Sequence, residues 1–288
     1  MSKKLLSPVD LLLAPELSEK EIKEVYKRYW FEDAEKADKN LQAIAKEPYV
    51  RKLLSEIIEP LFNQIKDSPD PDMVLNNLER FCSAAFDIRI FISQLKANPK
   101  LPFLLINLFS TSQFLSDILI RNPEYLWWLI EERAIDTSKN REDLIRELRA
   151  NISALVSFEK RLNAMRRFRR REILRIGLKD ILGYEDVVNV TLELSELADS
   201  LLQVAYELCL EELTKKYGRP MYKDSDDNLK EAGYAIIGMG KLGGEELNFS
   251  SDIDLIFVYD EDGETAGKLE YDEKINIIAN NVFFIKLS

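Results

Sequence analysis

Residues 235–259 read AIIGMGKLGGEELNFSSDIDLIFVY, and the reading of this stretch decides the fold. An apolar run ends in glycines, a short polar segment follows, and a second apolar run opens with Asp252 and Asp254. Residues 235–239 and 252–259 have strand character. Along the second, Asp252, Asp254, Ile256 and Val258 share one face, and Ile253, Leu255, Phe257 and Tyr259 the other. The two carboxylates then project from one side of a strand, roughly 7 Å apart along the backbone. Such a pair suits one or two Mg²⁺ ions, hard cations that take oxygen ligands. Gly243 and Gly244 can bring backbone N–H groups close to a phosphate. Lys241, Ser250 and Ser251 can add contacts to the same phosphate. The bland alternative is a solvated strand end with Asp252 capping a turn.

A rival phosphate-binding pattern overlaps the same residues. Gly238, Gly240 and Gly243 satisfy GxGxxG after a strand, and Asp260 lies 22 residues beyond the first of them, as in a dinucleotide-binding fingerprint. That fingerprint needs a full helix between its strands. Only about ten residues separate Lys241 from Asp252, and Gly243, Gly244 and Asn248-Phe249-Ser250-Ser251 lie among them, so one or two helical turns fit. No βαβ alternation precedes the stretch. The spacing argues against a Rossmann domain and for a nucleotidyltransferase arrangement: strand, Gly-Gly turn, short helix, returning D-x-D strand.

Outward from this unit the chain is expected to be α+β and mostly α, with a helical region over 1–225 and a partial nucleotidyltransferase domain over 226–288. The first 225 residues hold only Gly177, Gly183 and Gly218. Ser18 and Glu21 form a capping-box pattern opening a helix towards Glu47. A second helical pattern covers 49–67. A third, capped by Asp70 or Asp72, runs to about Asn98 with Leu75, Leu78, Phe81, Cys82, Phe86 and Ile90 at helical spacing. Shorter helices are expected around 101–109, 112–121 and 123–133, with Trp127 and Trp128 packing between them. Two long helices, 141–181 and 187–217, are expected to hinge at Gly183-Tyr184. Residues 221–231 read as a polar linker loop, and the apolar segment 274–288 as a helix.

Composition narrows the chemistry. The 288 residues carry a formal net charge of −11, which argues against broad nucleic-acid binding. There is no histidine, which removes Ser-His-Asp and Cys-His catalysis, a histidine base and ordinary structural zinc. Cys82 and Cys209 have no CxxC spacing and read as two buried core thiols in a reducing compartment. Pro8, Asp10 and Pro15 break the N-terminal apolar run, so neither a signal peptide nor a membrane span is expected there, and a cytoplasmic location is. Seven arginines fall within 161–175, at 161, 166, 167, 169, 170, 171 and 175. They cannot share one helix face. Either they form a solvated surface paired with acidic side chains, or some face the acidic pair and hold a phosphate or an acidic protein partner.

The segment GMGKLGGEELNFSSDIDLIFVY resembles the signature of the glutamine synthetase adenylyltransferase / adenylyl-removing enzyme family, within the polymerase-β-like nucleotidyltransferases. The resemblance extends through SDILIRNPEYLWWL, RRFRRREILRIGLKDILG and LSELADSLL. It implies that Asp252 and Asp254 ligate Mg²⁺ and that Gly243 and Gly244 line the nucleotide phosphate. It further implies a match to the family's N-terminal half, which removes AMP from glutamine synthetase by phosphorolysis. Its implied partners are glutamine synthetase, nucleotide (ADP or ATP), phosphate and a PII-type signalling protein. The family's third carboxylate, before an Arg-Leu-Arg-Pro type segment, has no counterpart here. A truncated piece with little activity and poor solubility alone is therefore expected. Two alternatives stay open: a helical regulatory module with a vestigial D-x-D site, and a nucleotidyltransferase with another substrate.

Overall fold

A computed structural model describes residues 5–85, 87–131, 134–270 and 273–288, and shows an α+β protein that is mostly α. Contacts group the chain into two compact units, Met1–Thr137 with Leu174–Glu185, and Ser138–Ile173 with Asp186–Ser288. Among the described residues no helix is long and apolar enough to cross a membrane.

The first unit is helical: α1 (Pro8–Leu13), α2 (Glu19–Arg28), α3 (Ala34–Ile44), α4 (Pro48–Ser55), α5 (Ile58–Lys66), α6 (Pro71–Ala84), α7 (Ile88–Ala97), α8 (Lys100–Thr111), α9 (Gln113–Arg121) and α10 (Tyr125–Glu131). Local signals set most starts. Ser18 and Glu21 form the expected capping box, Pro48 occupies the first turn of α4, and Asp70 accepts the Met73 amide. The single helix expected over 18–47 is two. Phe31 turns inward to lie 5.3 Å from both Tyr26 and Phe62. The next two amides, Glu32 and Asp33, donate to the Asp72 carboxylate at 2.7 and 3.1 Å. Trp30 takes φ 66° to allow it. Tertiary packing overrides helical periodicity here. The patterns over 49–67 and 71–98 are likewise each split in two, with Asp87 capping α7; Phe86 lies outside the described residues. Trp127 and Trp128 are half-buried.

The second unit holds α11 (Arg141–Ser153), residues 158–173 of α12 (Phe158–Ile181), and α13 (Val187–Tyr217). The expected helix over 141–181 is broken at residues 154–157, where Arg161 donates to the Leu155 carbonyl at 2.6 Å and pairs with Glu211 of α13 at 3.1 Å. Glu172, fully buried, meets Lys139 and Arg171, each at 3.2 Å. Lys139 also reaches Glu147 of α11 at 2.6 Å, and its amide donates to Glu193 of α13 at 3.0 Å. Three helices are thus tied to one buried charge network. The predicted turn after α12 is present, with Gly183 at φ 67°, and Gly218 at φ 75° ends α13.

Three small antiparallel sheets follow among the described residues. Strands β1 (Pro220–Lys223) and β2 (Leu229–Glu231) form a hairpin where a linker loop was expected. Asp224 makes the turn by accepting the Asp226 and Asn228 amides, each at 2.9 Å. Strand β3 (Tyr234–Met239), the single-turn helix α14 (Gly240–Gly243) and β4 (Asp254–Tyr259) come next. Then β5 (Glu264–Thr265) pairs with β1, and β6 (Lys268–Glu270) with β7 (Glu273–Ile275). The C-terminal helix α15 is limited to Asn280–Leu287, shorter than the apolar run suggested. Its Phe283 and Phe284 are buried with Ala232, and Leu210 and Tyr217 of α13 pack on them. Of the two expected core thiols, Cys82 is buried and Cys209 only half-buried.

Replacing Glu172 by Gln removes the central anion of the buried network and leaves Lys139 and Arg171 undercompensated. A loss of about 3 kcal/mol is expected in urea unfolding of the second unit, in the range for breaking a buried ion pair from one side.

Candidate functional site

The glycines and the acidic pair are brought together by a hairpin. Strands β3 and β4 run antiparallel with Tyr234 opposite Tyr259 and Met239 opposite Asp254. An antiparallel partner excludes the parallel crossover that a dinucleotide-binding fold requires. Asp260, the residue that would have contacted a ribose, accepts the Gly233 amide at 2.8 Å at the far end of the hairpin from the glycine turn.

At the near end the backbone is tightly folded. Gly240 has φ 55°, and the space where its Cβ would stand is 3.5 Å from Asp254 Oδ2. A Cβ on Gly243 would lie 2.5 Å from the Gly238 carbonyl oxygen, so only glycine allows α14 to close on β3. The Gly244 amide donates to the Gly240 carbonyl at 3.0 Å, and the Glu246 amide to the Lys241 carbonyl at 2.9 Å. Lys241, Gly243 and Gly244 are exposed.

The loop returning to β4 is shaped by Asn248. Its Oδ1 accepts the Ser250 amide at 3.2 Å, the Ser250 hydroxyl at 3.3 Å and the Ser251 hydroxyl at 2.7 Å. Both serines expected to contact phosphate therefore have a partner within the loop. The loop is anchored one residue earlier, where the Leu247 amide donates to buried Ser195 Oγ on α13 at 3.1 Å. Ser195 in turn donates to the Thr191 carbonyl at 2.9 Å.

Strand β4 begins at Asp254, so Asp252 precedes it. The strict alternation that would put both carboxylates on one strand face does not reach Asp252. Both are exposed, as unshielded carboxylates must be. Asp254 stands over the glycine turn. Asp252 lines a cleft of about 420 Å³ with Asn248, Phe249 and Ser251 on one side and Arg166 and Arg169 of α12 on another. Asp252 and Asp254 offer oxygen donors only, which fits two ligands of a hard cation. Among the described residues no group of three His, Cys, Asp or Glu side chains converges to hold a metal ion.

A second cavity, about 470 Å³, lies against β3 and is lined by Gly238, Gly243, Glu245, Asp199, Arg141 and Tyr206 among others. Burial pushes the Asp199 carboxyl above its ordinary range, against the pull of Arg141 and reinforced by Glu245.

The sequence did not point to Ser195, nor to Arg166 and Arg169 among the seven arginines. Ser195 follows Leu194 and precedes Leu197 in the apolar pattern of α13; a hydroxyl there is the available signal. Arg166 and Arg169 lie one turn apart beside Met165 and Ile173, both buried, so a helical projection of that stripe picks them out of the seven.

A model of the family glutamate-ammonia ligase adenylyltransferase matches residues 103–288, more than half of the chain. The chain belongs to that family. It is similar to the bifunctional glutamine synthetase adenylyltransferase/adenylyl-removing enzyme of Thioalkalivibrio sulfidiphilus, at 29% identity over 82% of this chain and 24% of the relative. The relative of the same name in Shewanella woodyi is 37% identical over 61% of this chain and 17% of its own length. That of Hahella chejuensis is 31% identical over 81% and 24%. The chain therefore spans at most about a quarter of the length of these relatives.

Gly243→Ala places a methyl group inside contact distance of the Gly238 carbonyl, and backbone cannot yield as a side chain end does. The variant is expected to lose about 1–3 kcal/mol and to open the turn, seen as faster hydrogen exchange at the Gly244 and Glu246 amides. Gly244→Ala meets only the Glu246 side chain at 3.4 Å and serves as the mild control.

Proposed function

We propose that this chain carries the adenylyl-removing site of its family, acting on the adenylylated tyrosine of glutamine synthetase. The observation that carries the reading is the glycine turn closed on the Gly238 carbonyl with Asp254 3.5 Å from the Cβ position of Gly240. Exposed backbone at Gly243 and Gly244 gives a phosphate close access, and Lys241 on the same turn supplies a positive charge. Ser250 and Ser251, whose hydroxyls donate to Asn248 Oδ1, hold the loop shape and would reach a phosphate only by turning those hydroxyls away from Asn248. The names of the relatives, which specify both attachment and removal of an adenylyl group, support the substrate.

In this reaction an oxygen of inorganic phosphate attacks the phosphorus of the AMP–tyrosine phosphodiester. A new P–O–P bond forms, the bond from phosphorus to the tyrosine oxygen breaks, and ADP leaves. The proton given up by the attacking phosphate ends on the tyrosine oxygen. Asp252 and Asp254 would hold Mg²⁺, which supplies charge stabilisation at the phosphoryl oxygens when bound. The protein's own contribution is positioning: the turn fixes the diphosphate product end, and the carboxylates fix where positive charge is tolerated.

The test is phosphate-dependent release of ADP from adenylylated glutamine synthetase, together with ADP binding by calorimetry at varied Mg²⁺. Asp252→Asn and Asp254→Asn are expected to lower turnover by about 10²-fold or more and to remove the Mg²⁺ dependence of binding, with unchanged unfolding midpoints. A double variant with undiminished release and unchanged Mg²⁺ dependence would overturn the proposal. Binding of glutamine synthetase with no Mg²⁺-dependent nucleotide binding at all would instead favour a regulatory module.

A further inference from the structure

We infer that the cleft between α12 and α13 receives an acidic peptide segment that inserts an aromatic side chain towards Asp252. The inference rests on the reading of Asp252 and Asp254 as a transfer site and names the surface that would present the protein substrate to it.

The arginines of 161–175 divide by partner. Arg161 pairs with Glu211, and Arg171 with Glu172 and Glu147. Arg171 also lies over the Phe168 ring at 5.4 Å. Arg166 and Arg169 are different. Arg166 donates to the neutral Asn163 Oδ1 at 2.8 Å, and neither residue has a carboxylate partner among the described residues. In a chain of net charge −11, two exposed guanidinium groups line the cleft with Asp252 yet make no ion pair to it or to any other described carboxylate, and are set for an external anion.

Below that rim the cleft is apolar. Met165, Ile173, Leu194, Leu197 and Leu247 are all buried and form its floor, with half-buried Phe249 at one wall. A volume of about 420 Å³ exceeds a single ring and accommodates a side chain with its flanking backbone. The glycines that line the other cavity do not line this one. If the glycine turn takes nucleotide phosphates, the second reactant approaches from the side of Asp252, Arg166 and Arg169. An apolar floor under a cationic rim is complementary to an aromatic residue in an acidic segment, with the ring supplying buried area and the flanking carboxylates the charge.

The experiment uses the full chain and a fluorescein-labelled peptide with a central tyrosine flanked by glutamates, read by fluorescence anisotropy. Binding is expected, weakened about tenfold or more by Arg166→Glu and by Arg169→Glu, and by replacing the peptide tyrosine with alanine. Arg166→Lys should retain most of it, and higher salt should weaken it. Both arginines are exposed on a helix, so their variants are expected to keep the circular dichroism and unfolding midpoint of the parent. The proposal is overturned if the arginine reversals leave peptide affinity unchanged. It is also overturned if a lysine-flanked peptide binds equally well, or if AMP binds with an affinity that falls in these variants and displaces the peptide. Asp254→Asn, outside the cleft, separates the two readings. Intact turnover in that variant, with peptide binding still dependent on the arginines, removes the transfer reading and leaves the peptide surface standing.

Discussion

The second unit depends on one helix remaining whole. Over 31 residues, α13 presents a series of polar anchors to several separate elements of the unit. Glu193 takes the Lys139 amide, Ser195 the Leu247 amide, Glu207 the Arg149 guanidinium and Glu211 that of Arg161. Between Ser195 and Glu207, Tyr206 stacks on Tyr234 of β3 with ring centroids 5.7 Å apart. Each anchor alone is worth about 1 kcal/mol. Their value lies in sharing a rigid backbone, which fixes the spacing between the charge network, the acidic loop and the hairpin.

The hairpin itself is thinly supported. Ile237, Met239, Ile256 and Val258 all remain exposed on a two-stranded sheet, and one such ribbon is marginal in water by itself. What steadies it is one-sided. Tyr234, Phe284 and Tyr259 stack nearly parallel, at 5.3 and 4.9 Å between centroids, joining the strands to α15. The opposite face, which carries Asp254, has no comparable cover within the described residues. Access at the glycine turn and exposure of apolar side chains are thus two aspects of the same arrangement.

Much of this was legible in the sequence because the relevant signals are local. The interval between Lys241 and Asp252 forbids a long helix, and the structure answers with a single turn and an antiparallel return. Ser18, Asp70 and Gly183 mark ends that side-chain and backbone chemistry dictate nearly alone. What was not legible depended on distant partners. Nothing near Trp30 announces a break, because its causes are Phe62 and Asp72. The helix expected over 141–181 gives way at residues 154–157, where Arg161 turns to Leu155 and Glu211. Asp252 left the strand because Asn248 and Ser195 fold the preceding loop. The arginine cluster was evident as composition, but its sorting into paired and unpaired members required Glu147, Glu172 and Glu211.

The Ser195–Leu247 hydrogen bond also orders events in time. Its two partners are 52 residues apart, so a ribosome adding roughly 5–20 residues per second delivers the loop about 3–10 s after Ser195. A helix forms within about a microsecond. By the time the loop emerges, α13 and the already synthesised α11 have had ample opportunity to dock, and the incoming hairpin meets a finished surface. A long-range bond that refolding from denaturant must find by search is, during synthesis, met by a partner already in place.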